Sequence, residues 1–266
     1  MRIAKYPVKQ PLLQPLIKYI WVLRSDHPVT ICHKLLPVTN IDIILNFSST
    51  INYRGQGDNA IAANRFHLNG IRQQYQYISQ TDRLNVWGIS FYPDGLYPFV
   101  KIPLSEFTNQ TVELELLMPE FTCQAGDIVS CTGSIPQRLS MLENALVKSL
   151  NVELISEKNC LIFDLFNSTP GSENIKRFCV QHGINQRRLE RIFNKHIGIS
   201  PKQFLKLRRF QRILGQIRKH QNRDFLGLTY ENDYFDQAHF IKDFKSLTGC
   251  SPTRFICEKS SILQYC

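Results

Sequence analysis

The stretch "DYFDQAHFIKDFKSLTGCSPTRF" (Asp233 to Phe255) decides the fold of the last third of the chain, because its pattern occurs twice. At an offset of 51 residues it overlays "RLERIFNKHIGISPKQF" (Arg188 to Phe204), with five identities in 17 positions. The identities fall on structurally demanding residue types, namely Phe193/Phe244, Gly198/Gly249, Ser200/Ser251, Pro201/Pro252 and Phe204/Phe255. One supersecondary unit built twice explains this pattern.

The first copy has the signals of a helix-turn-helix. "IKRFCVQHG" (Ile175 to Gly183) predicts a short helix that ends at a glycine able to take positive φ, and Asn185 is a good N-cap for "QRRLERIFNKH". The inward face of this second helix carries Leu189, Ile192, Phe193 and His196, and Cys179 is expected to fill a small buried position beside it. Another face is polar and suited to bases and phosphates: it carries Arg187, Glu190, Arg191 and Asn194. A solvated surface is the alternative interpretation of that face.

The second copy keeps the cap, at Asp236, and the inward apolar set Phe240, Phe244 and Leu247. Its turn differs, since Asp233 stands where a glycine is expected. Its outward residues are Ala238, Ile241, Lys242 and Lys245. Alanine and isoleucine cannot donate hydrogen bonds but can contact a thymine methyl, and the lysines most simply meet phosphates. We therefore expect the first unit to carry most of the sequence discrimination.

A long helix is predicted between the copies, opened by Ser200 as cap and Pro201 at the first helical position. Helical spacing places Phe204, Leu207, Leu214 and Ile217 towards a core and Lys202, Lys206, Arg209 and Arg212 outside. Some of its arginines, Arg208 especially, could equally tie the two halves together through buried polar contacts. Such a helix would hold the two helix-turn-helix units at a fixed distance, so that they could enter successive major grooves roughly 34 Å apart.

The charge of the chain is concentrated in the same region. From Ile175 to Cys266 there are 18 Lys and Arg against 7 Asp and Glu, whereas the first 174 residues hold 14 against 15. The formal net charge of +10 therefore arises in the last third. An excess of this kind is typical of a module that meets a polyanion.

The first part of the chain, to about Phe121, predicts an antiparallel β-sandwich or barrel. "IDIILNF" (41–47) and "NVWGISF" (85–91) are strand-like, and "YPDGLYP" after them is a turn by composition. Helices are predicted at 137–150 and around "CLIFDLF" (160–166), and "NSTPGSEN" (167–174), with a cap at Ser172, is the best boundary. The predicted domains are 1–135, β-rich; 136–167, a helical connector; and 168–266, a double helix-turn-helix. The fold class is α+β.

"YFDQAHFIKDFKSLTGCSP" closely resembles the DNA-binding signature of the AraC/XylS family of bacterial transcriptional regulators. The resemblance implies two helix-turn-helix units that read promoter or operator DNA, with Arg187, Glu190 and Arg191 as base-reading positions in the first. The corresponding positions in the second are Gln237, Ala238, His239 and Lys242. The complete set of predicted DNA-binding residues is Arg187, Arg188, Glu190, Arg191, Asn194, Gln237, Ala238, His239, Lys242 and Lys245. RNA polymerase is an implied partner.

Residues 5 to 117 resemble, more loosely, the β-rich sensor domain of one branch of that family, in "LLPVTNIDIILNF", "FHLNGI" and "WGISFYPDGLYPFVKIPLSEFTNQTVEL". This resemblance implies a cupin-like effector or oligomerisation domain. An unidentified small-molecule effector and a homodimer are therefore both expected possibilities. Neither the nature of the effector nor the direction of regulation follows from the residues.

Other classes of function have less support in the sequence. No apolar run reaches the roughly 18 residues of a membrane helix, so a cytoplasmic protein is expected. The eight cysteines form no C-x-x-C pair, and His33, His67 and Asp42 lack the spacing of a cupin metal site, so no cofactor or metal is predicted. No catalytic motif is present, and we expect no enzyme. Two alternatives remain: an architectural DNA-binding protein without sequence preference, and a DNA-directed enzyme with its chemistry in the β domain.

Overall fold

The computed structural model describes residues 1–57, 59–155, 162, 175–219, 225–232 and 234–257. It confirms the predicted fold class: an antiparallel β-rich domain is followed by a helical region. The expectations for Asp233 and for the boundary at 167–174 lie outside the described residues, as does the predicted helix at 160–166 except for the buried helical residue Ile162. The three-part domain division stays a prediction.

Two antiparallel sheets build the β domain. The six-stranded sheet has the order β1-β2-β9-β4-β7-β10 and the four-stranded sheet the order β3-β8-β5-β6. The strand bounds are β1 Arg2–Tyr6, β2 Ile17–Arg24, β3 Val29–Leu35, β4 Ile41–Asn46, β5 Asn52–Arg54, β6 Ala60–Ala62, β7 Phe66–Asn69, β8 Gln76–Asp82, β9 Asn85–Phe91 and β10 Thr111–Glu113. The predicted strands at 41–47 and 85–91 are confirmed as β4 and β9.

One apolar cluster lies between the sheets and includes Trp21 of β2, Ile44 of β4 and Ile78 of β8. Gly88 of β9 leaves the space that the Trp21 ring occupies, since a Cβ at position 88 would collide with that ring. The other face of β4 and β9 is also buried: Ile43, Trp87 and their strand neighbours join the main core. Both faces of the large sheet are therefore covered, which explains the nearly continuous apolar character of these strands.

Helices cover that second face of the large sheet. They are α1 Tyr97–Val100, α2 Pro119–Ser130 and α3 Ile135–Ser149, with short 3-10 helices at Leu104–Phe107, Leu114–Leu116 and Val152–Leu154. Helix α3 confirms the predicted helix near 137–150 and begins with a capping box of Ser134 and Gln137. Buried Glu143 on α3 accepts hydrogen bonds from the backbone N–H groups of Lys9 (3.0 Å) and Gln10 (2.8 Å), which fixes the segment before β2.

The C-terminal region is helical throughout its described part. Its helices are α4 Ile175–Gln181, α5 Gln186–His196, α6 Pro201–Lys219, α7 Phe225–Glu231, α8 Gln237–Thr248 and α9 Pro252–Cys257. Their apolar faces continue the core of the β domain, so one buried cluster runs through both regions. Among the described helices, none combines the length and the apolar character needed to cross a membrane.

Candidate nucleic-acid interface

The first helix-turn-helix has the local geometry that the sequence predicts. Gly183 takes a φ of 60° in the turn between α4 and α5, and the side chain of Asn185 accepts a hydrogen bond from the N–H of Arg188 at 2.8 Å. Leu189 and Phe193 are fully buried, and the Phe193 ring packs edge-on against Phe204 of α6 with centroids 5.5 Å apart. The inward face of α5 is thus fixed by packing, which determines the direction of its polar face.

Four of the five α5 residues predicted to contact DNA are exposed: Arg187, Arg188, Arg191 and Asn194. The fifth, Glu190, is half-buried and accepts a hydrogen bond from Gln186 Nε2 at 3.2 Å. All five line one surface groove together with Asn185 and Lys195. The structure therefore brings the predicted residues of the first unit together on one basic surface, the α5 face.

The β domain also contributes to the lining of this groove. Pro103 and Ser105, in and beside the 3-10 helix Leu104–Phe107, line it together with the α5 face. Sequence reasoning did not place these residues near α5. The reading surface of the first unit therefore lies directly beside a segment of the β domain.

The second helix-turn-helix presents its own outward face on α8. Asp236 caps the helix by accepting a hydrogen bond from the N–H of His239 at 2.7 Å, as predicted. Phe240, Phe244 and Leu247 are buried. All the predicted DNA-binding residues of this unit are exposed: Gln237, Ala238, His239, Lys242 and Lys245.

His239 is partly held by its neighbours on the second unit. Its Nε2 atom lies 3.8 Å from a carboxylate oxygen of Asp243, and its ring packs edge-on against Tyr234 at 5.2 Å. Asp243 is in turn paired with Lys206 of α6 at 2.8 Å. The α8 face thus contains a carboxylate that is neutralised from α6, and the predicted DNA-binding residues beside it carry amide, imidazole, ammonium and apolar groups.

The expected solvent-facing set of α6 is wrong at three positions, because Lys206, Arg209 and Arg212 are half-buried, and Lys206 is paired with Asp243 of α8. Arg209 and Arg212 are half-buried against the second unit: the Arg209 guanidinium lies over the Tyr234 ring at 4.9 Å, and Arg212 Nε donates to Asn232 Oδ1 at 2.7 Å. The packed α7–α8 unit covers this side of α6, which helical spacing alone does not reveal. Phe204, Leu207, Leu214 and Ile217 are buried as expected, and Lys202 is exposed. The alternative that arginines tie the halves together holds for Arg209 and Arg212.

The β domain also contacts the C-terminal ends of both reading helices. Thr108 Oγ1 donates to the carbonyl oxygen of Gly198 at 2.6 Å, and Lys34 Nζ donates to the carbonyl oxygen of Thr248 at 3.1 Å. The ring of Tyr75 packs against Gly249. Because Gly198 and Gly249 are equivalent in the sequence repeat, the β domain holds the two units at matching places.

Two further contacts strengthen this attachment. His196, at the end of α5, is buried with its ring centroid 4.4 Å from that of Tyr97 in α1. In the middle of α6, Gln211 Oε1 accepts a hydrogen bond from Thr39 Oγ1 at 3.1 Å. In each of these pairs the two residues are far apart in sequence, so helical periodicity and residue spacing do not predict the contact.

The histidines and the carboxylate weighed as metal ligands form no metal site. His67 is buried between Asn64 O, 2.8 Å from its Nδ1, and Tyr53 Oη, 3.0 Å from its Nε2, and burial lowers its pKa to about 4. Asp42 accepts a hydrogen bond from Ser90 Oγ at 2.5 Å, and burial raises its pKa to about 6. Within the described ranges, no group of three or more His, Cys, Asp or Glu side chains could hold a metal ion.

Family models match two parts of the chain. Residues 178–256 match a helix-turn-helix domain; the matched range begins within α4 and ends within α9. Residues 9–113 match a family described as a domain of unknown function, DUF6597. None of the curated proteins compared with the chain matches it.

Several solved structures are similar to the chain at low identity. ToxT from Vibrio cholerae O395 is 11% identical, with 90% of this chain and 100% of that chain covered and a TM-score of 0.44. Wild-type ToxT from Vibrio cholerae strain SCE256, bound to an unsaturated fatty acid, is 10% identical over 88% and 96% of the two chains, with a TM-score of 0.41. The AraC-like transcriptional activator CuxR is 12% identical over 74% and 80%, with a TM-score of 0.28.

Proposed function

We propose that this chain is a DNA-binding transcriptional regulator of the AraC/XylS type, and that it recognises a specific promoter or operator sequence with α5 and α8 under control of the β domain; the helix-turn-helix match over residues 178–256 supports this. The observation that carries this proposal is the pair of capped helices whose inward faces are buried while their outward faces are exposed and basic. Helix-turn-helix modules place such a helix in the major groove, where its N-terminal residues meet base edges.

The length of α6 supports simultaneous reading of two grooves. Its 19 residues, Pro201–Lys219, span about 28 Å at 1.5 Å per residue, close to the roughly 34 Å between successive major grooves. The contacts of Arg209 and Arg212 with the second unit hold α7 and α8 to this helix. One protein molecule would then read an asymmetric site, with α5 and α8 in neighbouring grooves on the same side of the duplex.

The first unit supplies most of the discrimination in this proposal. Arginine can donate two hydrogen bonds to the O6 and N7 atoms of guanine, glutamate accepts from the N4 amino group of cytosine, and asparagine pairs with adenine. Arg187, Arg191, Glu190 and Asn194 offer all three chemistries on one face. Arg188 and the lysines of α8, Lys242 and Lys245, are assigned mainly to phosphates.

The β domain is proposed to restrict access to the α5 face. Pro103 and Ser105 line the same groove as Arg187 and Arg191, so a duplex that approaches these arginines would come close to the β domain. Release of the contact between Thr108 and Gly198 would open the groove. A small-molecule effector or self-association of the β domain would act by shifting this equilibrium, and contact with RNA polymerase would follow DNA binding.

Sequence-specific recognition is tested by mobility-shift competition on the upstream regions of the protein's own gene and its neighbours. A specific duplex should compete far better than a random duplex of equal length. Arg187→Ala and Arg191→Ala should each reduce that preference by about 1–3 kcal/mol. Arg83→Ala is the matched control, since Arg83 is an exposed arginine of the β domain.

Two results would contradict the proposal at different points. If specific and random duplexes compete equally with the same salt dependence, the protein is an architectural DNA-binding protein, an alternative that the basic last third of the chain favours. If discrimination persists in both arginine variants, the reading face is wrongly placed.

Control by the β domain is tested with Thr108→Val, which removes the donor to the Gly198 carbonyl and keeps the shape of the side chain. Affinity for the specific duplex should rise, because the α5 face opens more readily. Thr81→Val is the matched control: Thr81 is an exposed threonine of the β domain that donates to Thr30 within the four-stranded sheet. Equal affinity of the Thr108 and Thr81 variants would show that the β domain does not gate DNA binding through this contact.

A further inference from the structure

The outward surface of the second unit carries exposed apolar side chains at the N-terminal end of α8. Phe235, next to the cap residue Asp236, is 91% exposed, and Ile241 is 38% exposed. Ala238 lies between them in sequence and is exposed. Ala238 and Ile241 are three residues apart in α8 and so are neighbours on its surface, while Phe235 lies just before the cap; we call these three residues the α8 apolar edge.

The first unit has no comparable edge at the equivalent positions. Ala238 stands where the first copy has Arg187, and Ile241 stands where it has Glu190. At the next position along the helix both units carry a cation: Arg191 follows Glu190, and Lys242 follows Ile241. At these equivalent outward positions α5 therefore carries charged side chains and α8 carries apolar ones.

We propose that the second unit recognises thymine methyl groups through the α8 apolar edge, so that its half of the site is rich in A·T pairs. This inference rests on the proposed function. In the major groove the thymine C5 methyl is the apolar group that a base pair presents, and the other edges are hydrogen-bond donors and acceptors. An isoleucine placed against guanine or cytosine would leave those polar groups without partners, whereas a thymine methyl buries apolar surface on both sides.

The neighbouring side chains are consistent with this assignment. Gln237 is exposed at the first position of α8, and glutamine can pair with the N6 and N7 atoms of adenine, the partner of thymine. Lys242 and Lys245 are exposed on the same helix and can hold the flanking phosphates. Asp243, which would repel phosphates, is neutralised by Lys206 at 2.8 Å.

The experiment begins with the full chain and a library of duplexes randomised over about 30 base pairs, enough for two successive major grooves. Repeated selection yields the preferred sequence. The half whose preference is lost with the Arg187→Ala variant is assigned to α5, and the other half to α8. The thymines of each half are then replaced one at a time by deoxyuridine, which removes only the methyl group.

Deoxyuridine in the α8 half should weaken binding about fourfold for each contacted methyl, the effect of removing one buried carbon from contact. In the Ile241→Ala protein the same replacement at the Ile241-contacted thymine should have no effect, because the partner of that methyl is already gone. Ile61→Ala, at an isoleucine of β6 that is 64% exposed, is the matched control and should retain the full deoxyuridine effect.

The possible outcomes distinguish a failure of this inference from a failure of the proposed sequence-specific DNA recognition. If selection yields no preferred sequence, specific recognition itself fails. If a preferred sequence appears but the α8 half is indifferent to deoxyuridine, or if Ile241→Ala and Phe235→Ala bind it as the unmodified protein does, the apolar edge does not read DNA. A deoxyuridine effect that persists unchanged in Ile241→Ala would equally overturn the assignment of that residue.

Discussion

Three glycines with positive φ test how tightly the β domain holds the two reading units. Gly183 has a φ of 60° and open space around the position of a Cβ. Gly249 has a φ of 78°, and a Cβ there would lie 2.5 Å from the Tyr75 ring. Gly198 has a φ of 100°, and a Cβ there would lie 2.6 Å from the carbonyl oxygen of Leu104. Alanine at Gly183 therefore meets only a backbone cost, whereas alanine at Gly249 or Gly198 also collides with a different group.

The magnitudes follow from these neighbours. At Gly183 alanine meets only the left-handed backbone penalty of about 1–2 kcal/mol, reduced by about 0.5–1 kcal/mol because alanine restricts the unfolded chain. At Gly249 the Tyr75 ring must also move, which sacrifices its edge contact with Tyr77 (5.8 Å) and its position under Lys34 (4.7 Å). Each contact is worth about 0.5–1 kcal/mol, so Gly249→Ala should cost about 1–2 kcal/mol more than Gly183→Ala.

Gly198→Ala should be the most destabilising of the three. The atom it meets is a backbone carbonyl oxygen, which cannot rotate away as the end of a tyrosine ring can. A φ of 100° also lies beyond the range that alanine adopts comfortably. A shift of the segment around Leu104 would in addition weaken the hydrogen bond from Thr108 to Gly198.

Urea unfolding of the full chain, followed by circular dichroism, measures the order of the three variants. The decisive comparison repeats Gly183→Ala and Gly249→Ala in a Tyr75→Ala background. Without the ring, the excess cost of the Gly249 substitution should vanish, while the cost at Gly183 stays the same. Equal costs at Gly183 and Gly249 in the unmodified background, or an excess that survives removal of Tyr75, would refute the packing of the β domain against the second unit.

Three further predictions concern stability. The pKa of Asp42, about 6 in the folded protein, lies above its ordinary value of 3.8. The protonated carboxyl therefore contributes fully to the free energy of unfolding below pH 3.8, and this contribution is lost as the pH rises through 6. Urea midpoints measured from about pH 4 to 7 should show this loss in the unmodified protein and lack it in Asp42→Asn. Arg212→Leu should cost about 1–3 kcal/mol in urea unfolding, because buried Asn232 loses the donor to its Oδ1, and an unchanged midpoint would contradict that. Ser134→Ala should cost about 0.5–2 kcal/mol through loss of the α3 capping box, and differential scanning calorimetry that shows no change would count against this cap.

The local features of the helix-turn-helix could be predicted from the sequence because each depends on near neighbours. Asn185 and Asp236 cap their helices by accepting hydrogen bonds from N–H groups three residues later in the chain. Gly183 takes the positive φ that ends a helix. The buried face of α5 follows from helical periodicity alone. The predicted strands at 41–47 and 85–91 hold for the same reason: their composition favours β structure whichever partner they find.

The features that sequence reasoning missed are contacts between distant segments. Arg209 and Arg212 occupy positions that periodicity assigns to the outside of α6, and the α7–α8 unit covers them. Lys34 and Thr248 are 214 residues apart, and Thr108 and Gly198 are 90 apart. These contacts join a side chain to a backbone carbonyl, to an aromatic ring or to a buried amide, so no residue type or spacing identifies the partner in advance.

The division between identical and different positions in the repeat has a physical meaning. The identities include Gly198 and Gly249, which the β domain contacts, and the Ser-Pro pairs that begin the helices after each reading helix. The differences include Ala238 and Ile241, which face outward where the first copy has Arg187 and Glu190. Backbone geometry and attachment to the β domain therefore constrain the first set to be equal, whereas the second set is free to differ, as the proposed recognition of two different half-sites requires. A protein that only neutralised phosphates would need cations at the outward positions of both copies, and the second copy replaces two polar groups there with apolar ones.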